Sequence, residues 1–180
     1  MDTCKCGIPL ASTRSRGASA GDASGASGIS ASSGSGDATI GVGDAATRGD
    51  FVRTVSASSS QGNASVQSAG TIAAAGGRAI AVDVQAGGLA SVAVHDVTVT
   101  GPRCDAILAE GNEIAIAIVN TGAVAASGGG VGGIYAHTLG NVTISGTSSV
   151  TTRGDDATGI RVDAGEAVSI PAGGIEAIGD

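Results

Sequence analysis

Four ionisable side chains, Asp83, Glu110, His137 and Asp163, are separated by 27, 27 and 26 residues. If that interval closes one coil of a winding chain, they stack into one outward column with His137 between two carboxylates. Tyr135 and Arg161 then fall in the neighbouring column, beside Leu108. Carboxylate oxygens so placed could ligate a divalent cation. They could also act as general acid and base, with His137 tuned upward by its neighbours. The plainer reading, and the one preferred, is a solvated polar face on which His137 relieves acidic repulsion. A catalytic site for a bulky substrate needs a concave, walled pocket, and the turns here are short, so catalysis is not expected.

A second chemistry is spelled by Arg48-Gly49-Asp50 and Arg153-Gly154-Asp155, two copies of the cell-attachment tripeptide. Arg48 follows Ile29 by 19 residues and Arg153 follows Ile134 by 19, so both copies occupy one slot, the turn leaving a third strand. Other coils fill the slot with Ala75-Gly76-Gly77, Thr100-Gly101-Pro102 and Ser127-Gly128-Gly129. Gly supplies backbone freedom there and Asp supplies turn hydrogen bonding. Arg is the one element that turn chemistry does not explain. The expectation is an exposed turn, with receptor adhesion as the sharper alternative, since exposed loops are where binding concentrates.

Three weaker signals point to no metal and no cofactor. Asp37, Asp44 and Asp50 are spaced 7 and 6 apart, which misses the nonapeptide period of calcium-binding Gly-Asp repeats. Cys4 and Cys6 form a C-x-C, but with Cys104 and two distant His they make no zinc spacing. Thr98/Thr100 and Thr151/Thr152 do not align into a ladder of the kind that would bind ice.

The elements that must position these groups come from a repeat. A small residue followed by an aliphatic one recurs at Ile29, Val55, Ile80, Ile107, Ile134 and Ile160, with separations of 26, 25, 27, 27 and 26. Each anchor and the residue two beyond it share a face. The pairs are Ile29/Ala31, Val55/Ala57, Ile80/Val82, Ile107/Ala109, Ile134/Ala136 and Ile160/Val162, all apolar. Each repeat holds two further short alternations, such as Ala38-Thr39-Ile40 and Thr71-Ile72-Ala73, separated by Gly-rich turns. Three short strands per coil of about 26 residues predict an all-β fold: a parallel β-solenoid of about six coils in which each coil buries its apolar face only by stacking on the next.

Composition agrees. The 180 residues include 32 Gly, one Phe, one Tyr and no Trp. A globular core normally uses aromatics, whereas Ala, Val and Ile suit a narrow β interior. The net charge of −7, with one Lys and eight Arg, argues against nucleic acid, which needs a basic stripe, and against an anionic membrane surface. No apolar run reaches the length of a membrane span, and no signal-peptide pattern is present in residues 1–20. The organisation expected is a low-complexity N-terminal segment or degenerate coil over 1–28 and a solenoid over 29–180. The last alternation, Gly174-Ile175-Glu176-Ala177-Ile178, is followed by no amphipathic cap. A piece of a longer rod, or one capped by a partner, is therefore expected.

The stretch from Gly132 to Asp180 cycles through G-I-x-A, G-x-V-x-I and S-V-x-T-x-G-D, and in this it resembles the repetitive passenger region of bacterial autotransporters. The resemblance covers roughly residues 26 to 180 and is clearest from 104 onward. It implies a right-handed β-helix displayed at the outer membrane, with spacer or adhesin roles and a host-cell receptor or glycan as partner. A polysaccharide-binding or polysaccharide-cleaving β-helix and an end-to-end self-associating filament are the alternatives.

Overall fold

The computed structural model describes residues 11–15, 25, 27–112, 114–146, 148–171 and 173–179. Among them every regular element is a β-strand, numbered β1 to β19 along the chain, and no helix is long and apolar enough to cross a membrane. The chain winds through three parallel sheets in turn. The first holds β2 (Ser27–Ser33), β5 (Arg53–Ser59), β8 (Ile80–Ala86), β11 (Asp105–Gly111), β14 (Gly132–Thr138) and β17 (Thr158–Ala164). The second holds β1 (Ala11–Ser15), β3 (Ala38–Val42), β6 (Ala64–Ser68), β9 (Ala90–Val94), β12 (Ala115–Asn120), β15 (Asn141–Ser145) and β18 (Val168–Ser169). The third holds β4 (Ala45–Arg48), β7 (Thr71–Ala75), β10 (Asp96–Thr100), β13 (Ala123–Ser127), β16 (Ser149–Arg153) and β19 (Gly174–Ile178). This is a parallel β-solenoid of about six coils.

Period-two alternation explains the strands, and stacking explains why they hold. In the second sheet Ile40, Val66, Val92, Ile118 and Ile144 form one file, each paired with the next coil and each wholly buried. In the third sheet Ile72, Val97, Val124 and Val150 do the same. Burying one such side chain is worth about 1.5–3 kcal/mol, but only once the neighbouring coil covers it. The single Phe and the single Tyr lie on the outside, so aliphatic side chains fill most of the tube between sheets, joined by buried Thr47, Thr54, Thr152 and Cys104.

The first sheet departs from strict alternation. In each of five coils two consecutive residues point inward: Thr54/Val55, Ala81/Val82, Ala106/Ile107, Gly133/Ile134 and Gly159/Ile160. The strand kinks where it leaves the corner, and pairing passes over the first residue of each pair. That residue must be small. A Cβ on Gly133 would come within 2.7 Å of Val150 Cγ1, and one on Gly159 within 2.8 Å of Ile175 Cγ2.

The kink corrects one anchor. The expected interior file through Ile80 is not formed, because Ile80 precedes the kink and stands outside, paired with Arg53 and Asp105. Val82 takes the interior place between Val55 and Ile107. The file runs Ile29, Val55, Val82, Ile107, Ile134, Ile160, and the inward pair in that coil is Val82/Val84 rather than Ile80/Val82.

Turn side chains tie each coil to the next. Asp37 Oδ1 accepts from the Asn63 amide at 2.8 Å, and Asn63 Oδ1 accepts from the Leu89 amide at 2.8 Å. Asp44 holds the Thr71 amide, Asp50 the Gly77 amide and Asp96 the Ala123 amide at 2.7–2.8 Å. An ionised acceptor on an otherwise unpaired backbone N–H makes a strong hydrogen bond. The Asp residues that resemble calcium ligands in the sequence are thus inter-coil ties.

Candidate functional sites

The revised anchor rearranges the acidic face. On the outer side of the first sheet one column reads Ser32, Ser58, Gln85, Glu110, His137, Asp163. The neighbouring column reads Ser30, Ser56, Asp83, Leu108, Tyr135, Arg161. His137 does lie between Glu110 and Asp163, but Asp83 belongs to the second column, and Gln85 takes the place expected for it.

Asp83 is also buried, 2% exposed, although it faces outward. Its Oδ2 lies 2.6 Å from Arg53 Nε and accepts from Ser56 Oγ at 3.4 Å. Among the described residues its Oδ1 has no partner. Burial pushes its carboxyl above the ordinary range, the Arg53 charge opposes this, and the Glu110 charge adds to it. The group reads as half of an ion pair sunk between columns.

At the far end of the face, Asp163 Oδ2 accepts from the Tyr135 hydroxyl at 3.2 Å and from Arg161 at 3.2 Å. The Arg161 guanidinium sits 5.3 Å from the Tyr135 ring centroid. Burial, and then the bond to Asp163, raise the Tyr135 phenol. Tyr135, Arg161 and Asp163 are therefore in mutual contact. Beside Glu110 and His137 runs an open cleft of about 810 Å³, lined also by Gln85, Asn112 and Leu139. Among the described residues no three His, Cys, Asp or Glu side chains converge on one point.

The two Arg-Gly-Asp turns share one file. Arg48, Ala75, Thr100, Ser127 and Arg153 are successive partners at the end of the third-sheet strands. The next residue is Gly in each coil, at φ 130° for Gly49, 137° for Gly76, 130° for Gly101, 137° for Gly128 and 129° for Gly154. A Cβ on any of the last four would overlap the carbonyl oxygen of the glycine below it. Gly is therefore obligatory, Asp50 is occupied by the Gly77 amide, and Arg48 and Arg153 project into solvent. The two arginines stand four coils apart, about 19 Å at the usual strand spacing.

The residue two places after each of those glycines is left-handed in every coil. Phe51, Arg78, Arg103 and Asp156 have φ of 58°, 55°, 56° and 55°, a left-handed conformation rare for non-glycine residues. The slot after that points inward and holds Val52, Ala79, Cys104 and Val131, all buried. Cys104 therefore acts as a small core residue, its thiol donating to the Gly76 carbonyl at 2.9 Å and pushed up in pKa by burial. Cys4 and Cys6 lie outside the described residues.

Compared with known protein families, with curated proteins and with solved structures, the chain matches none.

Proposed function

We propose that the protein is a non-catalytic cell-surface solenoid, a spacer or adhesin segment of an autotransporter-like passenger. The observation supporting this reading is the regularity of the third-to-first corner. Five successive coils repeat one turn of one length, tied coil to coil by backbone hydrogen bonds such as Gly76 N–H to Thr100 O at 2.9 Å and Gly101 N–H to Ser127 O at 2.8 Å. Such a rod holds exposed side chains at fixed height intervals, which is what display requires. The localisation follows from the sequence resemblance.

Antibody labelling of intact producing cells tests the surface assignment. Labelling without lysis is expected, and labelling confined to lysed cells contradicts it. Cell attachment to the immobilised protein tests adhesion through Arg-Gly-Asp. Attachment should fall for the Asp155→Glu variant, and equal attachment reduces the role to that of a spacer.

The cleft beside Glu110 and His137 favours a second reading, a polysaccharide-binding β-helix. Release of reducing ends from acidic polysaccharides that disappears in His137→Ala would turn that reading into a polysaccharide-cleaving one. Self-association into filaments is tested by light scattering against concentration, where strictly monomeric behaviour excludes it.

A further inference from the structure

The corner between the third and first sheets demands a left-handed residue in every coil. Gly25 and Gly130 meet the demand without strain, at φ 75° and 66°. In three consecutive coils between them the same place is held by Phe51, Arg78 and Arg103. A Cβ crowds the following carbonyl in this conformation, so the turn itself gains nothing from Phe or Arg. Their side chains need a reason outside the turn.

The surroundings supply one. The Arg78 guanidinium lies 5.3 Å from the Phe51 ring centroid, and Phe51 is still 55% exposed. Arg103 stands one coil beyond Arg78, at a spacing of about 4.8 Å. Arg48 and Arg53 flank Phe51, so a chain of net charge −7 gathers four of its eight Arg on one corner. Arg53 is paired with Asp83, and Asp50 is occupied by the Gly77 amide. Among the described residues no carboxylate stands within ion-pair distance of Arg78 or Arg103. An open hollow of about 530 Å³ lies between them, lined by Asp50, Phe51, Gly77, Arg78, Pro102 and Arg103.

We infer that this corner binds an anionic polysaccharide, its sugar carboxylates paired with Arg78 and Arg103 and the apolar face of a sugar ring resting on Phe51. A guanidinium fork matches a carboxylate in two parallel hydrogen bonds. An exposed aromatic face suits the C–H side of a pyranose. The two arginines repeat along the rod axis, so a linear polymer with one carboxylate per sugar meets them in succession, whereas a single acid meets one. The inference goes beyond the scaffold reading and does not use the His137 cleft.

The test is calorimetric titration of the protein with oligogalacturonate, with dextran as the neutral probe and polyglutamate as the non-sugar polyanion. Oligogalacturonate should bind and dextran should not. The Arg78→Gly/Arg103→Gly double variant should bind about tenfold more weakly or worse. Its melting temperature should hold or rise, because Gly relieves the left-handed backbone, and this separates lost recognition from lost folding. Phe51→Gly should weaken binding to a lesser degree. No binding of oligogalacturonate at millimolar concentration, equal binding by the double variant, or equally tight binding of polyglutamate would each overturn the assignment.

Discussion

The two corners that flank the first sheet are built on different terms. Every turn from the third sheet into the first is four residues long, from 49–52 through 154–157. Each carries Gly at its first position, a left-handed residue at its third and an inward residue at its fourth. Turns from the first sheet into the second vary from two residues (139–140) to four (34–37). They expose Leu89, Ile114 and Leu139. In the first corner the backbone of each coil lies against the backbone of the next, so conformation is fixed and chemistry varies only where side chains point away. In the second the turns also stack, Gly88 N–H donating to the Gly62 carbonyl at 2.9 Å and Leu139 N–H to the Asn112 carbonyl at 3.0 Å, yet length and composition vary from coil to coil. The constant corner carries the hollow between Phe51, Arg78 and Arg103, and the variable corner carries the cleft beside Asn112 and Leu139.

Substitutions separate the two. Gly128→Val forces a side chain into φ 137° and against the Gly101 carbonyl. Strain and overpacking together should cost on the order of 4 kcal/mol, read as a fall in the urea midpoint. Ile118→Ala, which empties an interior place in the second sheet, should cost about 3 kcal/mol. Asp96→Ala removes the tie to the Ala123 amide and should cost about 1 kcal/mol. Gly129→Ala, one residue from Gly128 but with open space around its Cβ, should stay within about 0.5 kcal/mol of the parent, as should Leu139→Ser in the variable corner. A large loss in Gly129→Ala would contradict the claim that only certain positions of the fixed corner are constrained.

The slightest effect is in pH. Folded Asp83 titrates above its ordinary 3.8, chiefly through burial. As pH rises from 3.8 toward the folded value, the unfolded chain loses this proton first, so stability declines through that window and is level beyond it. Asp83→Asn should flatten that part of the urea-midpoint profile. A steeper decline in the variant would reverse the assignment.

Sequence periodicity revealed the coil, the three strands and the shared place of the two Arg-Gly-Asp turns, because aliphatic alternation and the Gly slot are both backbone requirements with a side-chain signature. It missed the kink at Ala81–Val82. The run Ala79-Ile80-Ala81-Val82-Asp83-Val84 offers two anchors two residues apart, and alternation alone assigns both to one face. Only the corner shows that Ile80 falls outside, and Asp83 moved columns with it. The Phe51, Arg78 and Arg103 file was invisible for a related reason. Left-handed positions announce themselves through Gly, and here three coils put large side chains in Gly's place.

The account stands on the stacking register of the first sheet. Disulfide formation between paired cysteines measures it directly, in a background with Cys4 and Cys6 replaced by Ser. Gln85→Cys with Glu110→Cys joins partners on adjacent strands, within the reach of a disulfide, and should oxidise readily. Asp83→Cys with Glu110→Cys should stay reduced under the same conditions. Cross-linking of the second pair and not the first would contradict the stacking described.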